Sequence, residues 1–291
     1  MTRALFVCTP AESRRLIAKA VVKMKEVQYA LQQSNMLIPH GPLNIYILEE
    51  LLGKERLSQL MDPSTYATGM ITQGILCVSA SGRNTPMVLL KRGIVTPPGA
   101  TMSETLRDFD SHSVVIKGAS AIDAEGNTGV LVANREGGTA GMAIGTILGR
   151  GIHLIVPVGL EKMVPSVRQA VSLCGQDTFD YTQGLRVGMI LLTNAQVVTE
   201  IEAIKILTGV DAFHVASGGI NGSEGSVVLA AEGEQEAMSK AIDLMESIKG
   251  EPAVNLPVAS CKTCVDGPQI LSRCQFRGKK EEELHLFVRN R

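Results

Sequence analysis

The chain has 291 residues, with 28 basic against 29 acidic side chains and a net charge of −1, and no like-charged block is long enough to face a nucleic acid. Aromatic residues make up only 3% and Trp is absent, which argues against base- or carbohydrate-stacking surfaces. No apolar run reaches the roughly 18 residues that span a bilayer, and the N-terminus turns charged too soon for a signal peptide.

The hydrophobic fraction of 45% is that of an ordinary globular protein with one large domain or two. Six scattered Cys without a leader point to reduced thiols and a cytoplasmic location. No nucleic-acid partner and no membrane partner is expected.

Thr9-Pro10-Ala11-Glu12 reads as a helix start, with Thr as N-cap, Pro at N1 and Glu closing a capping box. Apolar residues from Leu16 to Val27 keep helical spacing, which carries this helix to about Leu31. Met36 to Ile38 is a short strand, followed by the turn His40-Gly41-Pro42 and a helix from Ile45 to Leu52 that Gly53 ends. Ile71 to Ala80 and Met87 to Leu90 read as strands around the turn 81–84, and Lys91 to Ala100 as a loop.

Val114 to Ile116 and Val130 to Ala133 are apolar runs suited to buried strands. Between them lies a turn-rich segment through Asp123, Gly126, Asn127 and Gly129. Asn134-Arg135-Glu136-Gly137-Gly138-Thr139 then breaks the second run before a helix of small residues, Ala140 to Leu148. Leu154 to Val158 is a further strand of the kind buried in a parallel sheet, and Met163 to Val171 is a helix. The tail reads as strand Val187–Leu192, helix Val198–Leu207, strand Ala212–Ala216, strand Ser226–Ala231 and helix Glu234–Ile248. A closing strand near Ala253 to Leu256 would complete a ferredoxin-like layer.

The segments Lys117-Gly118-Ala119-Ser120-Ala121-Ile122-Asp123-Ala124-Glu125-Gly126-Asn127 and Val132-Ala133-Asn134-Arg135-Glu136-Gly137-Gly138-Thr139 carry a family likeness. They resemble the core of the superfamily of ribose-5-phosphate isomerase, CoA transferases and methylthioribose-1-phosphate isomerase (NagB/RpiA/CoA transferase-like). Within it they look most like the lactate-utilisation (LUD) domain, whose strand runs into Gly-Ala-x-Ala-Ile. The likeness implies a Rossmann-like α/β domain over residues 1–186, with a largely parallel sheet and helices on both faces. It also fits a small ferredoxin-like α+β domain over 187–257, with residues 258–291 as a C-terminal extension.

The departures are specific. Sugar-phosphate isomerases carry an acidic residue where Ser120 stands. The first phosphate loop of the superfamily has two hydroxyl residues where this chain has Pro42 and Leu43, while Gly41 and Asn44 are kept.

Asp123 and Glu125 are candidates for general acid–base work, and Glu125 beside Gly126-Asn127 resembles the CoA transferase glutamate; a polar turn is the alternative reading of both. His40 is a candidate base or anion partner. Gly41, Asn44, Gly118, Ala119, Ser120, Asn134, Arg135, Gly137, Gly138 and Thr139 are candidate ligand contacts. Their glycines would expose backbone N–H groups, and Arg135 would grip a phosphate or carboxylate bidentately. Arg135 stands where methylthioribose-1-phosphate isomerase has a substrate-holding Lys. The loops His40–Asn44, Gly118–Ser120 and Asn134–Thr139 are expected to meet beyond the strand ends. Cys261, Cys264 and Cys274 lack a fourth ligand for zinc, so no metal is expected.

The expected partner is a small anionic metabolite: a sugar phosphate, a nucleotide or an acyl-CoA. Any reaction would be isomerisation or acyl transfer. A non-enzymatic sensor or an accessory subunit of a redox or metabolic complex is the alternative. The cofactor is unknown, and a homo-oligomer is compatible with this reading.

Overall fold

A computed structural model describes residues 1–66, 69–72, 74–77, 85–254 and 273–289. The elements in chain order are β1 (Thr2–Cys8), α1 (Pro10–Val21), α2 (Lys25–Gln33), β2 (Asn35–Ile38), α3 (Pro42–Leu52), α4 (Lys54–Leu60), α5 (Pro63–Tyr66), β3 (Ile71–Thr72), β4 (Ile75–Leu76), β5 (Val88–Lys91) and β6 (Ile94–Thr96). There follow α6 (Met102–Thr105), β7 (Val114–Ile116), β8 (Ala121–Ile122), β9 (Thr128–Val132), α7 (Gly138–Arg150), β10 (His153–Pro157), α8 (Val167–Leu173), β11 (Gly188–Leu192), β12 (Ala195–Val198), α9 (Glu200–Thr208), β13 (Asp211–Gly218), β14 (Ser226–Gly233), α10 (Gln235–Ser247) and α11 (Leu286–Arg289).

The large sheet has the order β12-β10-β7-β2-β5-β6. β12, β10, β7 and β2 run parallel, whereas β5 pairs antiparallel with β2, and β6 antiparallel with β5. The sheet is therefore mixed rather than largely parallel. The antiparallel edge escaped the sequence reading because Arg92 and Gly93, both at positive φ, make a two-residue hairpin turn inside what reads as a loop.

Side chains alternate across the strands. Met36, Ile38, Val114, Ile116 and Ile155 face one apolar core, which Leu16, Ile17, Ile47, Leu48 and Ile204 of α1, α3 and α9 cover. Leu37, Val115, Leu154 and Val156 face the other, which Ala140, Ala143 and Ile147 of α7 cover. Both faces are dry, so the short strands read as continuous apolar runs.

The capping box at Thr9 and Glu12 forms as expected. The first helix does not run on to Leu31. It stops at Val21, and α2 starts afresh after Met24, where it packs on β2 and β5. Pro42 occupies the first turn of α3, where its missing N–H costs nothing. Ile71 to Leu76 is no single strand: Gly74, at φ 78°, folds it into the pair β3–β4. The turn at 81–84 lies outside the described residues.

The strands of the tail are shared among three sheets. β11 pairs with β9, β12 joins the edge of the large sheet, and β13 and β14 form an antiparallel layer with β1 from the far end of the chain. β1 thus completes the layer expected to close with Ala253 to Leu256. Residues 253 and 254 form no strand, and 255–272, with Cys261 and Cys264, lie outside the described residues. Leu229, Ala231, Met238 and Met245 of the antiparallel layer and α10 belong to the same core as α1 and α9. No helix among the described residues is long and apolar enough to cross a membrane.

Candidate functional site

β2, β7, β10 and β12 are parallel, so their carboxyl ends open on one edge of the sheet, the place where open α/β sheets present their loops to ligands. Four short segments meet there: Pro39–His40 after β2, Lys117–Ala119 after β7, Val158–Lys162 after β10 and Thr199–Glu200 after β12.

Two half-buried lysines dominate the electrostatics. Lys117 Nζ donates to the Gly118 carbonyl at 3.2 Å, and Lys162 Nζ donates to the Ala119 carbonyl at 3.0 Å. Among the described residues neither ammonium has a carboxylate within salt-bridge distance. Burial and then the Lys162 charge pull Lys117 down to about 8. Burial also lowers Lys162, with the nearby Arg14 acting in the same direction and Glu161 and Glu200 opposing. Lys117 and Thr139 share a cleft of about 10 Å³, whose apolar wall includes Val115, Ala140 and Ile144.

Two carboxylates are near enough to act on Lys162. Glu200, the first residue of α9, is fully buried; its Oε2 accepts from the Leu160 N–H at 2.9 Å. Burial and then the Glu161 charge push Glu200 up to about 7, against the nearby Ser13 hydroxyl. The Glu161 carboxylate sits in the space that a Cβ on Gly159 would fill, so any other residue at 159 would displace it from this position.

Five buried side-chain polar atoms lack a hydrogen-bond partner among the described residues, and three of them (Asn44 Oδ1, Glu161 Oε2 and Glu200 Oε1) belong to this edge. Unpaired buried acceptors are rare enough to need an explanation.

Of the residues singled out by sequence, part lies at this edge and part does not. His40 is half-buried, with Nε2 2.6 Å from the Thr85 carbonyl and its ring centroid 4.7 Å from that of Tyr66. Burial lowers its pKa; the Thr85 bond opposes, and the Lys117 charge adds to the lowering. The Gly41 N–H is taken by the Tyr66 carbonyl. Asn44 donates to the Pro39 and Ile116 carbonyls, tying the ends of β2 and β7 together. Gly118 and Ala119 lie at the edge itself.

Ser120 turns the other way, its hydroxyl accepting from Leu131 N–H. Asp123 is buried and accepts from the backbone of Val167, Asn127 and Glu125. Burial would raise its pKa, but those bonds hold it below the usual carboxylate range. Glu125 is exposed and accepts from Asn127. These two acids build the turn before β9, as polar turn residues do.

Asn134 caps its own turn, its side chain accepting from Glu136 and Gly138 N–H. Arg135 is exposed and points at Asp177, 3.4 Å away. Gly137, at φ 79°, and Gly138 start α7; a Cβ on Gly137 would strike Gly141 and Ile190. Among the described residues no group of three or more His, Cys, Asp or Glu could hold a metal.

Lys117, Lys162, Glu161, Glu200 and Arg14 escaped the sequence reading. The rule that loops after buried strands reach the site would have found Lys117 and Lys162, which follow the Val114–Ile116 and Leu154–Val158 runs. Glu200 had no such signal, because Ala195 to Val197 of β12 ahead of it read as the link between a strand and the helix Val198–Leu207.

No family model and no curated protein matches the chain, so the LUD likeness rests on the motif residues alone. Among solved structures, a D-ribose-5-phosphate isomerase in complex with phospho-erythronic acid aligns with 76% of this chain and 78% of its own. The identity is 15% and the TM-score 0.28, too slight to carry an argument about chemistry.

Proposed function

We propose that the chain binds a small anionic metabolite, of the sugar-phosphate class, at the carboxyl edge of the large sheet. The observation that carries this reading is the pair Lys117 and Lys162: two half-buried ammonium groups held on successive carbonyls, with no counter-ion within salt-bridge distance among the described residues. Desolvated charge without a partner is costly, and a bound anion removes that cost. Arg14 adds a third positive group near Lys162.

The unpaired acceptors on Asn44, Glu161 and Glu200 suit the hydroxyls of a polyol better than an apolar acyl chain. Glu200 lies where a proton could be exchanged near neutral pH, which fits isomerisation by proton transfer. A non-enzymatic ligand sensor is the second reading. It is favoured by the structural use of Asp123 and by the outward placement of Glu125.

The test is a thermal-shift series with sugar phosphates, nucleotides and CoA esters. A ligand at a hundred times its Kd should add about 2.7 kcal/mol, and Lys162→Met should weaken it by roughly 10- to 100-fold. Equal protection of wild type and Lys162→Met would sink the site. Binding without turnover of any sugar phosphate would favour the sensor.

A further inference from the structure

We propose that Lys117 is a nucleophilic amine that condenses with the carbonyl group of a small anionic aldehyde or ketone. The anionic half of that substrate class rests on the site proposed above; the amine does not. Three observations carry it. Lys117 is two residues on from Val115 along the same strand direction, and both line the cleft against α7, so the side chain lies along apolar surface. Its Nζ meets the Gly118 carbonyl, and no carboxylate within salt-bridge distance among the described residues holds it as an ammonium.

The second cation is Lys162, fixed on the next carbonyl along the chain; the Cα atoms of adjacent residues are about 3.8 Å apart. Of the two, Lys162 keeps its proton more readily, because Glu161 and Glu200 support its charge, while the titratable groups near Lys117 are the Lys162 cation and His40, whose imidazole burial favours in its neutral form. Apolar surroundings together with a neighbouring cation are what turn a lysine into a nucleophile near neutral pH.

The division of labour follows. Lys162 anchors the anionic group and the free amine of Lys117 faces the carbonyl. The nitrogen lone pair adds to the carbonyl carbon, and one N–H proton passes to the carbonyl oxygen to give a carbinolamine. The second N–H proton then leaves with that hydroxyl as water, and a C=N bond remains. Atoms and electrons balance without an oxidant or a reductant. The cleft has room for one water-sized group, so only the reactive end of the substrate enters.

The test is reductive trapping on the full chain at pH 7.5. Glycolaldehyde phosphate or uncharged glycolaldehyde is added with sodium cyanoborohydride, and labelled lysines are mapped by peptide mass spectrometry. Relative to an ordinary lysine, the free-amine fraction of Lys117 is larger by roughly two orders of magnitude. Lower basicity offsets part of this, so Lys117 should label about ten-fold faster than the exposed Lys25. The label should vanish from that peptide in Lys117→Met, and the phosphate probe should lose its advantage in Lys162→Met.

Labelling of Lys117 no faster than Lys25 with both probes overturns the proposal, and because that comparison is made in the wild type it needs no variant to fold. Fast labelling of Lys117 by both probes, with no gain from the phosphate, supports the amine and counts against the anion site instead.

Discussion

Two clusters of ionisable groups lie at opposite extremes of satisfaction. On α1, Arg15 is 4% exposed, yet its guanidinium meets Glu50 at 2.9 Å, Glu251 at 2.8 Å and Glu49, and lies 4.8 Å above the Tyr46 ring. Lys19 and Lys54 flank the same carboxylates. At the carboxyl edge of the sheet, Lys117, Lys162, Glu161 and Glu200 are drawn out of water with acceptors and charges left over. The first cluster ties α1, α3 and the segment after α10 together, and its charges are neutralised inside the protein. In the second, both lysines lie without a carboxylate within salt-bridge distance among the described residues, and Glu161 and Glu200 each keep an oxygen without a hydrogen-bond partner. Burial of charge is common to both; the partnering separates scaffold from site.

Removing Arg15 should have the largest effect. Arg15→Ala takes the buried cation from three carboxylates and leaves them only the more exposed Lys19 and Lys54, and breaking such a buried network costs about 3–5 kcal/mol. Urea midpoints should fall accordingly, and a variant as stable as the wild type would show that the cluster contributes little.

Glu200 comes next. Its folded pKa of about 7 lies above the ordinary carboxylate value, so between about 4.5 and 7 the folded protein holds a proton that the unfolded chain has released. Stability from this group is therefore complete below about 4.5 and is lost as pH rises through 7. The difference in unfolding free energy between wild type and Glu200→Gln should change across that window by on the order of 2–3 kcal/mol. A difference independent of pH would mean that Glu200 is not buried with a raised pKa.

Lys117→Met should act in the opposite sense from Arg15→Ala. Lys117 titrates low, so above about 8 the folded protein binds fewer protons than the unfolded chain, and stability rises with pH from there. Below 8 the cost of the desolvated charge is present in full. The Met variant should be more stable than wild type at pH 7 by about 1 kcal/mol, while the alkaline gain between pH 8 and 9 disappears. Destabilisation at pH 7 would place Lys117 with Arg15 among the scaffold charges.

The smallest effect belongs to Arg135. Its ion pair with Asp177 is exposed on both sides, and such pairs are worth about 0–1 kcal/mol. Arg135→Ala should leave both the urea midpoint and the affinity for sugar phosphates nearly unchanged. A ten-fold loss of affinity would place Arg135 in the binding site, as the sequence reading expects.

Much of the scaffold could be read from local residues. The capping box at Thr9 and Glu12, the helix end at Gly53 and the buried runs Val114–Ile116 and Leu154–Val158 depend on a few neighbouring side chains and formed where expected. Asn44, Gly118 and Thr139 were singled out as candidates for a similar reason, since they lie in loops and helix starts that follow apolar strands. Strand partners were not legible. β1 pairs with β14 more than 200 residues away, and no local pattern records that.

The chemistry was legible only in part, because a carboxylate's role depends on what donates to it. Asp123 and Glu200 look alike as letters, but Asp123 collects backbone N–H groups and keeps a low pKa. Glu200 is buried beside Glu161 with one oxygen unpaired and has a raised one. Period, capping and turn chemistry act over a few residues, so the sequence by itself determined the dry strands and the helix starts. Desolvation and Coulomb coupling act through space, so only the tertiary structure decided which lysines and glutamates would meet at the edge of the sheet.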